Sequence, residues 1–424
     1  MAPQLPPTRA RAARIAVSAL FVANGALSAS ILPRLPAIKD ALQLSNAELG
    51  AAVAAMPVGG LVAGGLAGLL IARFGSGRVA TIAAPAACLL LIAIGLAPSW
   101  IVLAAAYFVL GMFDATMDAA MNTHSLGLQR VYGRSILQGF HGMWSLGGMA
   151  AGAVGALAAA AAVPVAIHLG VVAVALAAGV VLTSTRLLPR VIADAHDAHD
   201  ANANAPAGAP AERIHPSNAP RLLRILLPIA MLGITCVVVQ SAASVWSAVY
   251  VRDVLAQPAG IAAAAFVLYT GAMSVGRLTN DRWVDWLGPT RVVAIGAAIC
   301  VAGLVAVMVA SPLNVPALAF AGFAAVGFGS SPMFPVMVAA AGSRPGIPSG
   351  YGVALVAWLV RIGLVVAPAL VGVAADRAGL AAAFGIPLVT AIGIALVAPR
   401  MTGIWGPHRA VPPSPDTAGS TPAA

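Results

Sequence analysis

The sequence predicts an all-α membrane protein of twelve spanning helices, arranged as two pseudo-symmetric bundles of six. Three observations lead there. The chain of 424 residues is 60% hydrophobic and only 8% charged, where a soluble domain carries roughly a quarter charged residues. Its apolar residues gather in runs of about 20, the length that crosses a hydrocarbon core as helix. One long polar stretch divides those runs six and six. A transmembrane barrel is excluded, because it would show short alternating segments instead. The net charge of +10 does not indicate nucleic acid, since the arginines sit in short loops between apolar runs.

In chain order, residues 1–14 form a polar, Pro-rich segment expected on the cytoplasmic side. The predicted spans of the first bundle (15–186) are 15–36, 47–71, 79–97, 100–124, 136–160 and 163–185. The first apolar run continues past the length of a signal-peptide core, so it is read as a span. A cytoplasmic linker occupies 187–220. The second bundle (221–398) has spans 222–250, 258–280, 290–311, 313–341, 349–374 and 379–398. The tail 399–424, rich in Pro, Ser and Thr, is expected to be disordered. With both termini cytoplasmic, every basic residue except Arg361 falls on the cytoplasmic side apart from Arg34, Lys39, Arg252 and Arg377. That asymmetry is the positive-inside pattern.

Cys88, Cys236 and Cys300 lie in apolar runs and read as buried free thiols, not a disulfide framework. Asp194–Asp200, DAHDAHD, alternates His and Asp, yet reads as solvated linker, because no fixed metal geometry is evident. No cofactor is expected. No G-x-x-x-x-G-K-[ST] phosphate loop is present, so ATP is not the direct energy source.

The informative residues are those a bilayer disfavours. Ionisable groups at membrane depth usually mark an ion or substrate path. Asp114, Asp118 and Asn122 are four apart and share one helix face. After a predicted basic hairpin at 123–135, His141 and Trp144 return in the fifth span. His141 has an ordinary pKa near physiological pH, which suits proton exchange. Arg361 lies mid-span in VALVAWLVRIGLVVAP. Its planar fork could hold an anionic group of a solute. The preferred reading is a pair with Asp118 or Asp114 across the two bundles. Gln240 offers hydrogen bonds within the seventh span, to a solute or to a neighbouring helix. Trp144, Trp246 and Trp358 fall deep within their spans, where rings can stack on a solute or simply fill space. Gly142, Gly147, Gly148, Gly152 and Gly155 form small-x-x-x-small spacings that permit close helix approach. Pro57, Pro335 and Pro368 are expected to kink their spans.

An internal repeat supports the two-bundle reading. Gly68–Arg78, GLLIARFGSGR, and Gly276–Arg291, GRLTNDRWVDWLGPTR, occupy the same loop in each half. These loops resemble the cytoplasmic signature of the major facilitator superfamily, roughly G-x-x-x-D-R-x-G-R. The second copy keeps the acid and base as Asp281 and Arg282. The first has Ala72 where relatives have an acid, beside Arg73 and Arg78. MDAAMN and FHGMWSLGG resemble the branch near fucose permease and its uncharacterised inner-membrane relatives, although the first helix lacks that permease's acid. The resemblance implies a secondary transporter of the inner membrane, acting as a monomer on a small polar solute, sugar-like or an organic acid, and coupled to protons. It implies Asp118 in proton coupling, beside His141 and Asp114. Asn122, Gln240, Trp144, Trp246, Trp358 and Arg361 are the candidates for solute contact. Arg73, Arg78, Asp281 and Arg282 are implied as gating residues. Amphipath efflux is the alternative, disfavoured by the missing Gly-Pro kink in the fifth span. A non-transporting sensor and an interfacial lipid-modifying enzyme are weaker alternatives.

Overall fold

A computed structural model describes residues 6–133, 136–189, 219–342 and 349–400, with no side-chain detail at a few helical positions, Asp281 among them. Among the described residues, twelve helices are long and apolar enough to span a membrane. These are Thr8–Ala41, Asn46–Phe74, Ser76–Gly95, Trp100–Tyr132, Gly139–Ala160, Val165–Ser184, Ile225–Asp253, Ala259–Asn280, Pro289–Ala310, Pro316–Gly342, Trp358–Ala378 and Leu380–Arg400, or spans 1 to 12. No strand is present among these residues. Helices satisfy every backbone group internally, which an apolar solvent demands. The Asp194–Asp200 motif and the tail beyond Arg400 lie outside the described residues. The three cysteines are free and buried, as expected.

The ends of the spans follow local sequence chemistry. Span 2 opens on a capping box: Ser45 Oγ accepts from the Glu48 amide at 3.1 Å, and Glu48 Oε2 accepts from the Ser45 amide at 2.8 Å. Span 4 ends at Gly133, whose φ of 63° is the left-handed conformation glycine adopts freely. The predicted basic hairpin at 123–135 is therefore corrected. The chain is helix as far as Tyr132, continuing through Gly127, and the turn begins only at Gly133, which takes the left-handed conformation that ends the helix. His124, on this extension, is buried between Ser76 Oγ (2.9 Å) and the amide of Leu188, which donates to its Nε2 at 3.0 Å. Gln129 Oε1, on the same extension, accepts from the amides of Ile136 and Leu137 and so caps the start of span 5.

Close helix contacts rest on glycine. Gly59 and Gly111 each abut backbone of the facing helix, Phe108 and Met56 respectively, so spans 2 and 4 pack backbone to backbone. In span 5, Gly147 abuts Val22, and a Cβ at Gly148, Gly152 or Gly155 would meet span 1 or span 8 at 3.0–3.1 Å. Gly142 faces open space and takes no part in that stripe. Pro57 and Pro368 lie within continuous helices. Span 10 is interrupted between Ser330 and Met333, ahead of Pro335. The break exposes a carbonyl at Ser330, which accepts from Gln240 Nε2 at 3.0 Å.

The two sets of spans meet tightly at the end away from the termini. Lys39 Nζ bonds Asp253 Oδ2 at 2.7 Å. Arg252 makes a two-pronged bond to Asp40 and also bonds Asp253. Asp376 of span 11 accepts from the Asn46 amide (2.9 Å), Asn46 Nδ2 (2.9 Å) and the Ala47 amide (2.8 Å). It thus places a carboxylate on the positive end of span 2. Gly50 and Gly372 let spans 2 and 11 touch there. Among the described residues, every hydrogen bond between the two sets of spans lies at this end.

Asp376→Ala is expected to loosen this end. A cysteine placed at the buried position Leu49 should then react with a membrane-impermeant maleimide several-fold faster than it does with Asp376 intact. An unchanged rate would show that the contact does not hold the end closed.

Candidate functional site

The site lies midway along the bundle, where spans 1, 4, 5, 8 and 11 converge. Asp114 and Asp118 sit one turn apart on span 4 and are half-buried. Asp114 Oδ1 accepts from Asn24 Nδ2 of span 1 at 2.8 Å. Asn24 Oδ1 in turn accepts from Trp144 Nε1 of span 5 at 2.9 Å. Asn24 thereby ties three helices together. Asp118 Oδ1 accepts from Asn122 Nδ2 at 3.0 Å, and the same amide donates to the Asp118 carbonyl at 2.9 Å. The second Asp118 oxygen has no hydrogen bond among the described residues.

Two basic groups, His141 and Arg361, act on these acids, and a third, Arg277, lies beside His141 and Trp144. His141, exposed on span 5, meets Phe21 edge-on at 5.3 Å. It lies within electrostatic reach of Asp118. Arg361 of span 11 reaches across to span 2: a Cβ added at Gly60 would stand 3.1 Å from its Nη1. Its charge acts on both Asp114 and Asp118. Arg277 of span 8 lies over the Trp144 ring, 5.8 Å from the centroid, and within electrostatic reach of His141.

The structure revises several expectations. The direct pair of Arg361 with Asp118 or Asp114 is not formed. No ion pair within 4.0 Å joins them, and Arg361 makes no hydrogen bond among the described residues. The guanidinium passes instead into the gap left by Gly60. Trp246 is fully buried with its Nε1 unpartnered among the described residues, so it does not line the site in this conformation. Gln240 is committed to span 10, and Tyr269 Oη donates to its backbone carbonyl at 3.1 Å, so its role here is helix–helix bonding. Trp358 stands one turn before Arg361 and is 54% exposed. Arg73, Arg78 and Arg282 are exposed, and Arg73 lies 5.4 Å from the Phe74 ring centroid. The side chain of Asp281 lies outside the described residues.

Two site residues are absent from the sequence-based candidates. Asn24 stands in FVANGALS, a lone amide in an apolar run, which is the signal that could have found it. Arg277 stands near the end of the predicted span 258–280 and reads from sequence as part of the Gly276–Arg291 loop signature. In the structure it lies within the helix Ala259–Leu287, half-buried against the Trp144 ring.

These observations define a twelve-span helical membrane protein with a charged site between its two sets of spans. The chain belongs to the major facilitator superfamily, whose family model matches residues 17–357. An uncharacterized MFS-type transporter of Yersinia pestis is 29% identical over 355 residues, covering 83% of this chain and 85% of that protein. The uncharacterized transporter y4wD of Sinorhizobium fredii is 27% identical over 352 residues, covering 83% and 88%. Among solved structures, a variant of the nucleoside transporter NupG superposes with TM-score 0.74 at 13% identity, covering 93% of this chain and 100% of that one. A D-xylose-proton symporter superposes with TM-score 0.70 at 14% identity, covering 92% and 97%. At such identities the likeness to solved structures is one of fold.

Two substitutions test this geometry. Asn24→Leu removes the shared partner of Asp114 and Trp144 and should cost about 1–3 kcal/mol for each group left unpaired, read as a lower melting temperature in detergent. An unchanged melting temperature would mean the bridge is not formed. Gly60→Val should displace the Arg361 guanidinium and depress function at least tenfold, whereas Gly64→Val, with nothing within 4 Å of its Cβ position, should not. Equal effects would separate Arg361 from the gap beside span 2.

Proposed function

We propose that the protein is a secondary transporter that moves a small polar organic solute across the cell's inner membrane by alternating access, coupled to protons through Asp118. The observation that carries this reading is the placement of Asp118. It holds Asn122 by one oxygen, leaves the other without a hydrogen bond among the described residues, and faces His141 and Arg361 from spans on either side of the bundle. A carboxyl so placed can be neutralised by a proton or by the approach of Arg361. Which of these prevails changes as the two sets of spans rock. A proton or a solute bound there would bias the two states differently, and such a bias is what couples binding to movement.

Of the solute classes, an organic acid fits the site better than a neutral sugar. Among the described residues, Arg277 and Arg361 both present guanidinium groups with no carboxylate within ion-pairing distance. An organic anion would supply one, with the rings of Trp144 and Trp358 beside it. With the termini cytoplasmic, as loop charge indicates, the end closed by Lys39, Asp40, Arg252 and Asp253 is the outer one. The conformation then faces inward. Gating by Arg73, Arg78, Asp281 and Arg282, at the cytoplasmic end, belongs to the opposite state.

The test is solute-evoked proton flux in proteoliposomes, screened over sugar acids, other organic acids, sugars and amphipathic drugs, with Asp118→Asn alongside. The expected result is a response to an acid in the wild type that falls to background in Asp118→Asn, while solute exchange without net proton movement survives. Equal proton flux in both proteins would remove Asp118 from the coupling role.

A further inference from the structure

The charges of the central site are sorted by side. Both carboxylates, Asp114 and Asp118, stand on span 4, and both guanidiniums, Arg277 and Arg361, come from spans 8 and 11 of the other set. Each of the four is half-buried and keeps accessible surface. Among the described residues, no ion pair within 4.0 Å joins an acid to a base here. Arg361 nonetheless acts on both acids, and Arg277 rests over the Trp144 ring. Tyr269 and Cys236, the other titratable groups that act on Arg277, are uncharged in their ordinary forms near neutral pH.

The two guanidiniums do not stand together. In the first set, span 5 packs on span 1, span 1 on span 4, and span 4 on span 2. Arg277 lies over Trp144 of span 5, at one end of this row, and Arg361 beside Gly60 of span 2, at the other. The acids of span 4 lie between. Guanidiniums at opposite ends of a row suit two separate anionic groups better than one, and each can hold a carboxylate by a two-pronged bond.

Charge balance points the same way. With both acids ionised, two carboxylates offset two guanidiniums, and His141 counts equally whether the site is empty or loaded. A dianion bound alone would leave two uncompensated negative charges in a region of low dielectric, which is costly. Two protons, one on each acid, restore the balance and leave both guanidiniums to the solute. The Asn24 amide donates to Asp114 Oδ1, and a protonated carboxyl can still accept that bond.

We propose, resting on the reading that the solute is an organic acid, that it is a dicarboxylic acid carried with two protons, one on Asp114 and one on Asp118. Each transport event then moves no net charge.

The test uses the full-length protein in proteoliposomes, with the membrane potential set by potassium and valinomycin. The probes are succinate, adipate and glucarate, together with gluconate, which shares the carbon chain of glucarate but has a single acid group. The expected result is uptake of a dicarboxylate with two protons per molecule, indifferent to the imposed potential and preferred over gluconate by about tenfold or more. Asp114→Asn, which can still accept from Asn24, should lower the ratio to one proton and make uptake respond to potential. Should that variant fail to fold, Arg277→Gln tests the same idea by cutting the preference for the dicarboxylate over gluconate about tenfold. Gluconate carried as well as every dicarboxylate, one proton per dicarboxylate, or wild-type uptake that follows the potential would overturn the proposal and leave the organic-acid reading in place. Proton flux evoked by none of these acids would overturn the proposal, and flux evoked by neutral sugars instead would overturn the organic-acid reading as well.

Discussion

The structure depends on the cost of placing charge in hydrocarbon. An ionisable side chain in a span is tolerated when it turns inward and finds partners or water. Asp114, Asp118, His141, Arg277 and Arg361 meet that condition together, since each lies near at least one of the others. None could be placed alone on its helix at the same depth without a comparable penalty. The convergence of spans 4, 5, 8 and 11 on one region is thus a requirement of solvation as much as of function. The looseness of the group matters too. Acids and bases that stay beyond ion-pairing distance are held in reach but not locked. The proton exchange proposed for this site would need that freedom.

Helix contact supplies the rigidity the charges lack. Gly59 and Gly111 bring spans 2 and 4 to backbone distance, and Gly147 does the same for span 5 against span 1. Asn24 adds a polar tie at the same level. The acids are therefore mounted on closely packed helices, while Arg361 arrives from the other set of spans through the gap at Gly60. Relative movement of the two sets would alter the Arg361–Asp118 separation more than any distance within the first six spans. At the closed end, the network of Lys39, Asp40, Arg252 and Asp253 is partly exposed, so each pair contributes about 0–1 kcal/mol. Contacts of that strength can break and re-form.

Much of this is legible in the sequence. Run length alone locates the spans, because a hydrocarbon slab sets one length for every crossing helix. Asp118, Asn122 and Arg361 are visible as breaches of apolarity. What escapes reading lies near the ends of runs or depends on rotation about a helix axis. Hydropathy falls off after residue 124, yet helix persists to Tyr132, since polar residues do not end a helix and Gly133 does. Arg277 is lost in the same way at the end of span 8. Trp246 and Gln240 do lie within span 7 but face helices and not the site, and position along a run carries no information about facing. Asn24 is easily passed over because a single amide weighs little in an apolar run.

The central claim is that the two sets of spans move against each other about this charged site. Spin-label distances at both ends of the bundle test it most directly. One pair would be placed at Ala41 and Ala259 on the closed end, and one at Ala72 and Asp285 on the other, all exposed positions. As pH is lowered or a transported solute is added, the two distances should change in opposite senses, one shortening as the other lengthens. Distances that stay fixed at both ends, or that change together, would contradict alternating access in this protein.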